Sequence, residues 1–435
     1  MAAFKSEFLQ TLDQRGFIHQ LSDPEGLDAL CLKGPITGYV GFDATATSLH
    51  IGNLISLTML HWMQETGHRP ITLMGGGTSM VGDPSFRDSQ RSMLTPDRIK
   101  SNIAGIKRIF ERILSYGDAD GDALMINNAE WLLKLNYVEF LREVGRHFSV
   151  NRMLSFDSVR LRLEREQSLS FLEFNYMIMQ GYDFVELNRR YGCVLQMGGS
   201  DQWGNITTGT ELIRRKLGHE NEAFALTCPL ITKADGGKFG KTESGNVWLD
   251  PERTSPYEFY QFWLNVSDED AEKYIKIFSL LSQKEIERII REHGEAPHLR
   301  ILQKTLAQDI TTRVHSKADY EAAVEASQIL FGKGTTETLK KLDERMLLNV
   351  FKGVPQPEVQ RSEFDSGIGL LDFLAAKTGV FKSNGEARRM LKDRAVMINK
   401  NKVDENYRLS SNDLLNNRYV LVQKGKKNYF LVKIV

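Results

Sequence analysis

The stretch from Tyr39 to Asn53 reads Y-V-G-F-D-A-T-A-T-S-L-H-I-G-N, and few architectures can accommodate it. Tyr39-Val40-Gly41-Phe42 is a short apolar run of the kind that forms a buried strand of a parallel sheet. Asp43 to Ser48 is small and hydroxyl-rich, which suits a tight turn with Ser48 as an N-cap. From Leu49 onward, Ile51, Leu54, Ile55 and Met59 recur at helical spacing, with Gly67 as the expected C-cap. Strand, tight turn and helix make the first unit of an α/β nucleotide-binding sheet. His50 falls in the first helical turn, where unpaired N–H groups and the positive dipole end favour a phosphate. Gly52 lets a polyanion come close to the backbone.

The same logic continues along the chain. Pro70–Met74, Ala123–Ile126 and Cys193–Met197 read as strands, and each runs into a polar or glycine-rich segment: Gly75-Gly76-Gly77, Asn127-Asn128 and Gly198-Gly199-Ser200-Asp201-Gln202. Such segments at strand C-ends place one site at the C-terminal edge of a parallel sheet. Thr95-Pro96-Asp97 starts a helix that continues through Ile113. Residues 130–180 read as mostly helical, with Trp131, Phe140, Phe148, Phe171 and Phe174 as core or interface. From Ser255 the pattern turns to helices, at Asp268–Leu281, Gln283–Glu292 and Leu299–Val314. The stretch Gly332–Gly367 is the least patterned and reads as a linker carrying some helix. Helices Leu370–Thr378 and Ser383–Asp393 and strands Ala395–Ile398, Tyr419–Gln423 and Tyr429–Val435 complete the chain. The expected fold class is α/β. A Rossmann-like catalytic domain spans 1–250, a helical domain 251–331, a linker 332–367 and a small α+β module 368–435.

Formal net charge is zero, but its distribution is uneven. From Ser366 to Val435 there are fourteen Lys/Arg against six Asp/Glu. A basic tail on an acidic body suits a polyanion, or is simply a solvated positive domain. Cys31, Cys193 and Cys228 are too far apart for a metal or disulfide framework, which fits a reducing compartment. The nine histidines form no ligand spacing, so no structural metal is expected. No apolar run is long enough to span a membrane. Met1–Gln20 reads as a polar amphipathic helix without the apolar core of a signal peptide.

Far downstream of H-I-G-N lies Lys238-Phe239-Gly240-Lys241-Thr242. The two resemble the paired signatures of class I aminoacyl-tRNA synthetases, usually written HIGH and KMSKS. Gly198–Asn205 (G-G-S-D-Q-W-G-N) resembles that family's ribose and amino-acid loop. With Gly82-Asp83-Pro84-Ser85 and the set Tyr176, Gln180 and Asp183, the pattern resembles the bacterial tyrosyl branch, over nearly the whole chain. The C-terminal segment is similar to a small RNA-binding module of some ribosomal proteins. Where that module often has Asn-Gly in its first hairpin turn, this chain has Asn399-Lys400-Asn401, so Asn must supply the left-handed residue.

The resemblance implies activation of L-tyrosine by ATP, as Mg-ATP, and transfer of the tyrosyl group to tRNA(Tyr). It further implies a homodimer, no tightly bound metal, no membrane and a cytoplasmic location. The attacking carboxylate is already ionised, so the first step needs positioning and positive charge on the departing pyrophosphate instead of a general base. Lys238 and Lys241 sit in a loop with three glycines that can bring two ammonium groups onto the phosphates. By resemblance they bind the pyrophosphate, as do Arg87 and Arg91. Thr45 and His50 match positions that hold the ATP phosphates. Asn53 replaces the second signature histidine and can donate to a ribose oxygen. Asp201 takes the ribose hydroxyls, with Gly199 allowing close approach, Gly52 and Lys241 also bind ATP, and Gln202 contacts the carboxyl region. Tyr39 and Asp183 supply a donor–acceptor pair for a phenol hydroxyl, which a buried site must satisfy. Asp83, Tyr176 and Gln180 match positions for the α-ammonium, and Asp43 contributes there or to the pocket floor.

Three alternatives stand beside this reading. A tryptophanyl enzyme shares the fold but has no use for the Tyr39–Asp183 pair. A non-enzymatic RNA-binding factor would not need His50, Lys238 and Lys241. A different adenylating enzyme would leave the helical domain and basic module without purpose. ATP–pyrophosphate exchange with tyrosine, tryptophan and phenylalanine separates them.

Overall fold

The structure, a computed structural model, describes residues 4–83, 93–242, 245–331, 335–351, 354–425 and 428–435. Its contacts divide the chain into two compact units. One comprises Met1–Thr254 and Trp263–Val314; the other comprises Ser255–Phe262 and His315–Val435.

The first unit is built on a six-stranded sheet: β1 (Gln20–Leu21), β2 (Thr37–Asp43), β3 (Arg69–Gly75), β4 (Leu124–Asn127), β5 (Cys193–Gly199) and β6 (Phe224–Cys228), in the order β1-β6-β5-β2-β3-β4. All neighbours pair in parallel except β1 with β6. Successive strands go outward from β2 to one side and from β5 to the other. The crevice between β2 and β5 is therefore the topological switch point, where such sheets bind ligands. The strand β6 has no counterpart in the sequence reading, although Phe224-Ala225-Leu226-Thr227-Cys228 is an apolar run buried along its whole length.

The helix after β2, Leu54–Glu65, buries Leu54, Ile55, Leu57, Thr58, Met59, Leu60 and Met63. It is apolar nearly all round because it is covered on more than one side. Its entry differs from expectation. Ser48 is not the cap: its hydroxyl donates to the Leu49 carbonyl and accepts from the Asp250 N–H. The cap is His50, at the head of a short 3-10 turn, Ile51–Asn53, that leads into the helix. Its Nδ1 accepts from the Gly52 N–H, and the Asn53 side chain accepts from the His50 N–H.

Asp268–Phe278, Gln283–Glu295 and Ile301–Val314 are helical, close to the expected bounds. They pack within the sheet-bearing unit, not in a separate domain starting at 251. Arg15 links them to it: its guanidinium donates to the carbonyls of Lys276, Ser279 and Leu281, 4.0 Å from the centre of the Trp62 ring. Among the aromatic residues of 130–180, Trp131 is core, whereas Phe171 is 69% exposed.

In the second unit a five-stranded sheet runs Asn401–Lys402, Val396–Ile398, Tyr419–Lys424, Asn428–Ile434 and Glu358–Val359. Two helical segments cover it, Leu370–Lys377, which closes in a wide π-type turn, and Asn384–Lys392, capped by Ser383. The hairpin turn places both Asn399 and Lys400 at positive φ. Asn399 is held there by accepting from Leu421 N–H and donating to the Asp413 carbonyl, and Lys400 by donating to the Tyr429 hydroxyl. The stretch read as a linker supplies an edge strand. Val359 and Phe364 belong to this unit's core beside Leu370, Phe373 and Val432.

Candidate active site

At the β2–β5 crevice lies a cavity of about 390 Å³ lined by Tyr39, Gly41, Asp43, His50, Gly52, Asn53, Asp83, Tyr176, Gln180, Asp183, Gly199, Asp201 and Gln202, among others. A polar hollow of about 550 Å³ adjoins it and is lined by Thr45, His50, Asn53, Asn246 and Trp248. Lys238 and Lys241 lie on the nearby loop, exposed, and line neither. Arg87 and Arg91 lie outside the described residues.

The deep end of the cavity carries a polar pair in an apolar wall. Tyr39 is buried, and its hydroxyl has no hydrogen-bond partner among the described residues. Burial, then the charge of Asp183, raises its pKa. Asp183, 2% exposed, accepts from Trp131 Nε1 at 2.7 Å and Asn128 Nδ2 at 2.9 Å. Burial pushes its carboxyl up to about 7, against the pull of those two donors. Asn128 is fixed in turn, accepting from the Gly77 N–H and donating to Thr78. A buried carboxylate needs such donors. The sequence reading gives neither Asn128 nor Trp131 a role of its own: Asn127-Asn128 marks only the edge of the sheet where the site lies, and Trp131 looks like an ordinary core aromatic.

Nearer the mouth, Asp43 accepts from Thr78 and from the Tyr176 hydroxyl. Gln202 donates to Asp83 and Asp201, and Asn205 donates to Gln180 and Gln202. Burial raises the Asp201 pKa. The mouth thus gathers carboxylates and carbonyl acceptors, a surrounding that favours an ammonium or hydroxyl donor. Gln196, mid-strand in β5 opposite Tyr39, is buried with its Oε1 unpartnered among the described residues, and a glutamine inside an apolar run was its sequence signal.

His50 faces both hollows. Because its Nδ1 accepts from a backbone N–H, the neutral ring carries its proton on Nε2. One face of the residue is open to solvent. Enough protein surrounds the ring that partial desolvation, followed by the charge of Lys241, lowers its pKa. It is a neutral donor at neutral pH.

The loop that carries the lysines is tied to this histidine's turn. Ile51 N–H donates to the Val247 carbonyl and Val247 N–H to the Gly240 carbonyl. Gly240 has φ +75°, and a Cβ there would come within 2.4 Å of Ile51 Cγ2. Phe239 reaches the cavity wall and stacks on Phe278, with Trp263 and Tyr274 around it. The loop is therefore anchored at its centre while both ammonium groups stay in water. Among the described residues neither has an ion-pair partner.

Residues 32–332 match the family described as tRNA synthetases class I (W and Y). Residues 347–432 match the Tyrosine--tRNA ligase SYY-like C-terminal domain. The chain is similar to the tyrosine–tRNA ligase of Porphyromonas gingivalis, 55% identical over 98% of this chain and 99% of that one. It is also similar to that of Mesorhizobium japonicum, 54% identical over 100% of both. Among solved structures it is similar to a C-terminally truncated mitochondrial tyrosyl-tRNA synthetase of Aspergillus nidulans. That match is 30% identical with a TM-score of 0.67, covering 75% of this chain and 95% of that one.

Proposed function

The chain belongs to the class I tRNA synthetases of the tryptophan and tyrosine group, and from that premise we infer that it is a tyrosine–tRNA ligase. It activates L-tyrosine with ATP, releasing pyrophosphate, and transfers the tyrosyl group to the 3′ end of tRNA(Tyr). The observation that carries the choice of tyrosine is the buried pair Tyr39 and Asp183 at the deep end of the cavity. A phenol hydroxyl arriving there supplies the partner that the Tyr39 hydroxyl lacks and donates to a carboxylate already held by two N–H groups. A bare benzene ring would leave both groups without a ligand partner, and an indole, which donates through N–H but accepts nothing, would still leave the Tyr39 hydroxyl unpaired, at a cost of about 1–3 kcal/mol per group.

In the first step a carboxylate oxygen of tyrosine attacks the α-phosphorus, and the bond to the β-phosphate oxygen breaks with its electron pair on pyrophosphate. His50 donates from Nε2 and Thr45 from its hydroxyl, both beside the polar hollow where the negative charge develops, and Asn53 donates from its amide to a ribose oxygen. Lys238 and Lys241, with Arg87 and Arg91, neutralise the pyrophosphate. Asp83, Tyr176 and Gln180, with Asp43, receive the α-ammonium. Asp201 holds the ribose, and Gln202 lies by the carboxyl group. The nucleotide enters as its magnesium complex, the ion travelling with the triphosphate. In the second step a terminal ribose hydroxyl of tRNA attacks the carbonyl carbon and AMP departs.

The second unit, basic from Ser366 onward, holds the tRNA. Among the described residues no helix is long and apolar enough to cross a membrane, and the enzyme works in the cytoplasm with its tRNA. Tyr137, Val138, Val150 and Phe171 are each more than half exposed, and they support a homodimer formed through this segment. ATP–pyrophosphate exchange tests the assignment: tyrosine should drive it, with tryptophan and phenylalanine near background. Exchange driven by another amino acid would overturn it.

A further inference from the structure

Two glycines of β2 lack a side chain for different reasons. A Cβ on Gly38 would lie 2.8 Å from Met63 Cε and 3.2 Å from Leu195 Cβ, so helix and strand packing excludes it. Among the described residues, a Cβ on Gly41 would meet nothing within 4 Å. Gly41 is also outside the positive-φ residues, so its backbone conformation suits any amino acid. Glycine within a strand is entropically unfavourable and often marks a place where a ligand comes close. Neither packing nor backbone geometry accounts for Gly41, which leaves the open space above it.

That space is where the two hollows meet. Gly41, Phe42, Asp43, His50 and Asn53 line both. Strand alternation puts Tyr39, Gly41 and Asp43 on one face of β2, and Gly41 is the exposed residue in that otherwise covered strand. On the ligase reading above, the amino acid and the ribose occupy the 390 Å³ cavity, and the charge of the departing pyrophosphate develops beside the 550 Å³ hollow. Displacement at phosphorus places the entering and leaving oxygens roughly in line, on opposite sides. The phosphorus must then sit at the passage between the hollows, over Gly41. We propose that Gly41 is a positioning residue for adenylation, its missing side chain giving the nucleotide α-phosphate room to lie in line between the tyrosine carboxylate and the polar hollow.

The empty space makes Gly41→Ala a clean probe, because the added methyl displaces no atom of the described residues. In the full chain its thermal midpoint should equal or slightly exceed that of the parent. Tyrosine affinity, measured by calorimetry without ATP, should stay within about threefold, while kcat/KM for ATP in exchange falls about a hundredfold or more. Gly41→Val should lower it further. Exchange by Gly41→Ala within about threefold of the parent would overturn the proposal. So would a loss of tyrosine affinity as large as the loss of exchange, which would put Gly41 under the amino acid. Failure of the parent itself to exchange with tyrosine would instead refute the ligase reading, and this inference with it.

Discussion

Replacing Trp131 by Phe tests whether the donors behind Asp183 set its charge. The substitution removes the Nε1–H that reaches Asp183 at 2.7 Å and keeps an aromatic ring in the same wall. A hydrogen bond to a charged group contributes about 1.5–3 kcal/mol. At 1.36 kcal/mol per pKa unit, its loss should raise the Asp183 pKa by about one to two units, from about 7. The assay is the pH dependence of kcat/KM for tyrosine in exchange. The parent should show an acid limb near 7, and the variant the same limb about one to two units higher. At pH 7 the variant should lose about tenfold or more with tyrosine and little with phenylalanine. Stability carries the same signature. The folded pKa of Asp183 stands above its usual 3.8, so this group favours folding at low pH and that contribution is lost as pH rises to about 7. In the variant the loss continues above pH 7. The two unfolding free energies should differ at pH 5 only by the smaller ring, and part by a further 1.5–3 kcal/mol or so by pH 9. An acid limb that does not move, with stabilities that stay parallel, would refute the reasoning.

Lys241→Ala should lower the exchange rate by about 100-fold or more and barely change tyrosine affinity, because the ammonium meets only the charge that develops on pyrophosphate; calorimetry alongside exchange separates the two. Gly240→Ala forces a left-handed alanine into Ile51. It should cost stability by about 1–2 kcal/mol or more and lower exchange by loosening the lysine loop from the His50 turn, as read by urea unfolding and exchange kinetics. A chain ending at Phe331 should still make tyrosyl-adenylate but charge tRNA poorly, with a flatter salt dependence of tRNA binding, each lost phosphate contact removing a slope of about 0.7–0.9. Cutting at Asp365 would be a worse test. It strands Val359 and Phe364, which belong to the core of the C-terminal sheet.

Local chemistry was legible in the sequence wherever one short segment decides its own conformation. The ends of β2, β3 and β5 fall where the apolar runs meet glycine or polar residues, because an apolar strand stops where its backbone must face a ligand or water. Thr95 and Ser383 open their helices where the sequence places the starts, and each caps its helix, since a hydroxyl needs only the N–H three residues on. Ser48 had the same credentials and lost the position, because Asp250, two hundred residues away, claims its oxygen. Tertiary structure also decided that Trp131 and Asn128 hold Asp183, that Phe239 anchors the lysine loop on Phe278, and that Glu358–Val359 completes the C-terminal sheet. Each of these joins segments with no shared periodicity. A side chain's spacing along the chain records which face it occupies, while the partner it meets there depends on how distant elements pack, and no local pattern carries that information.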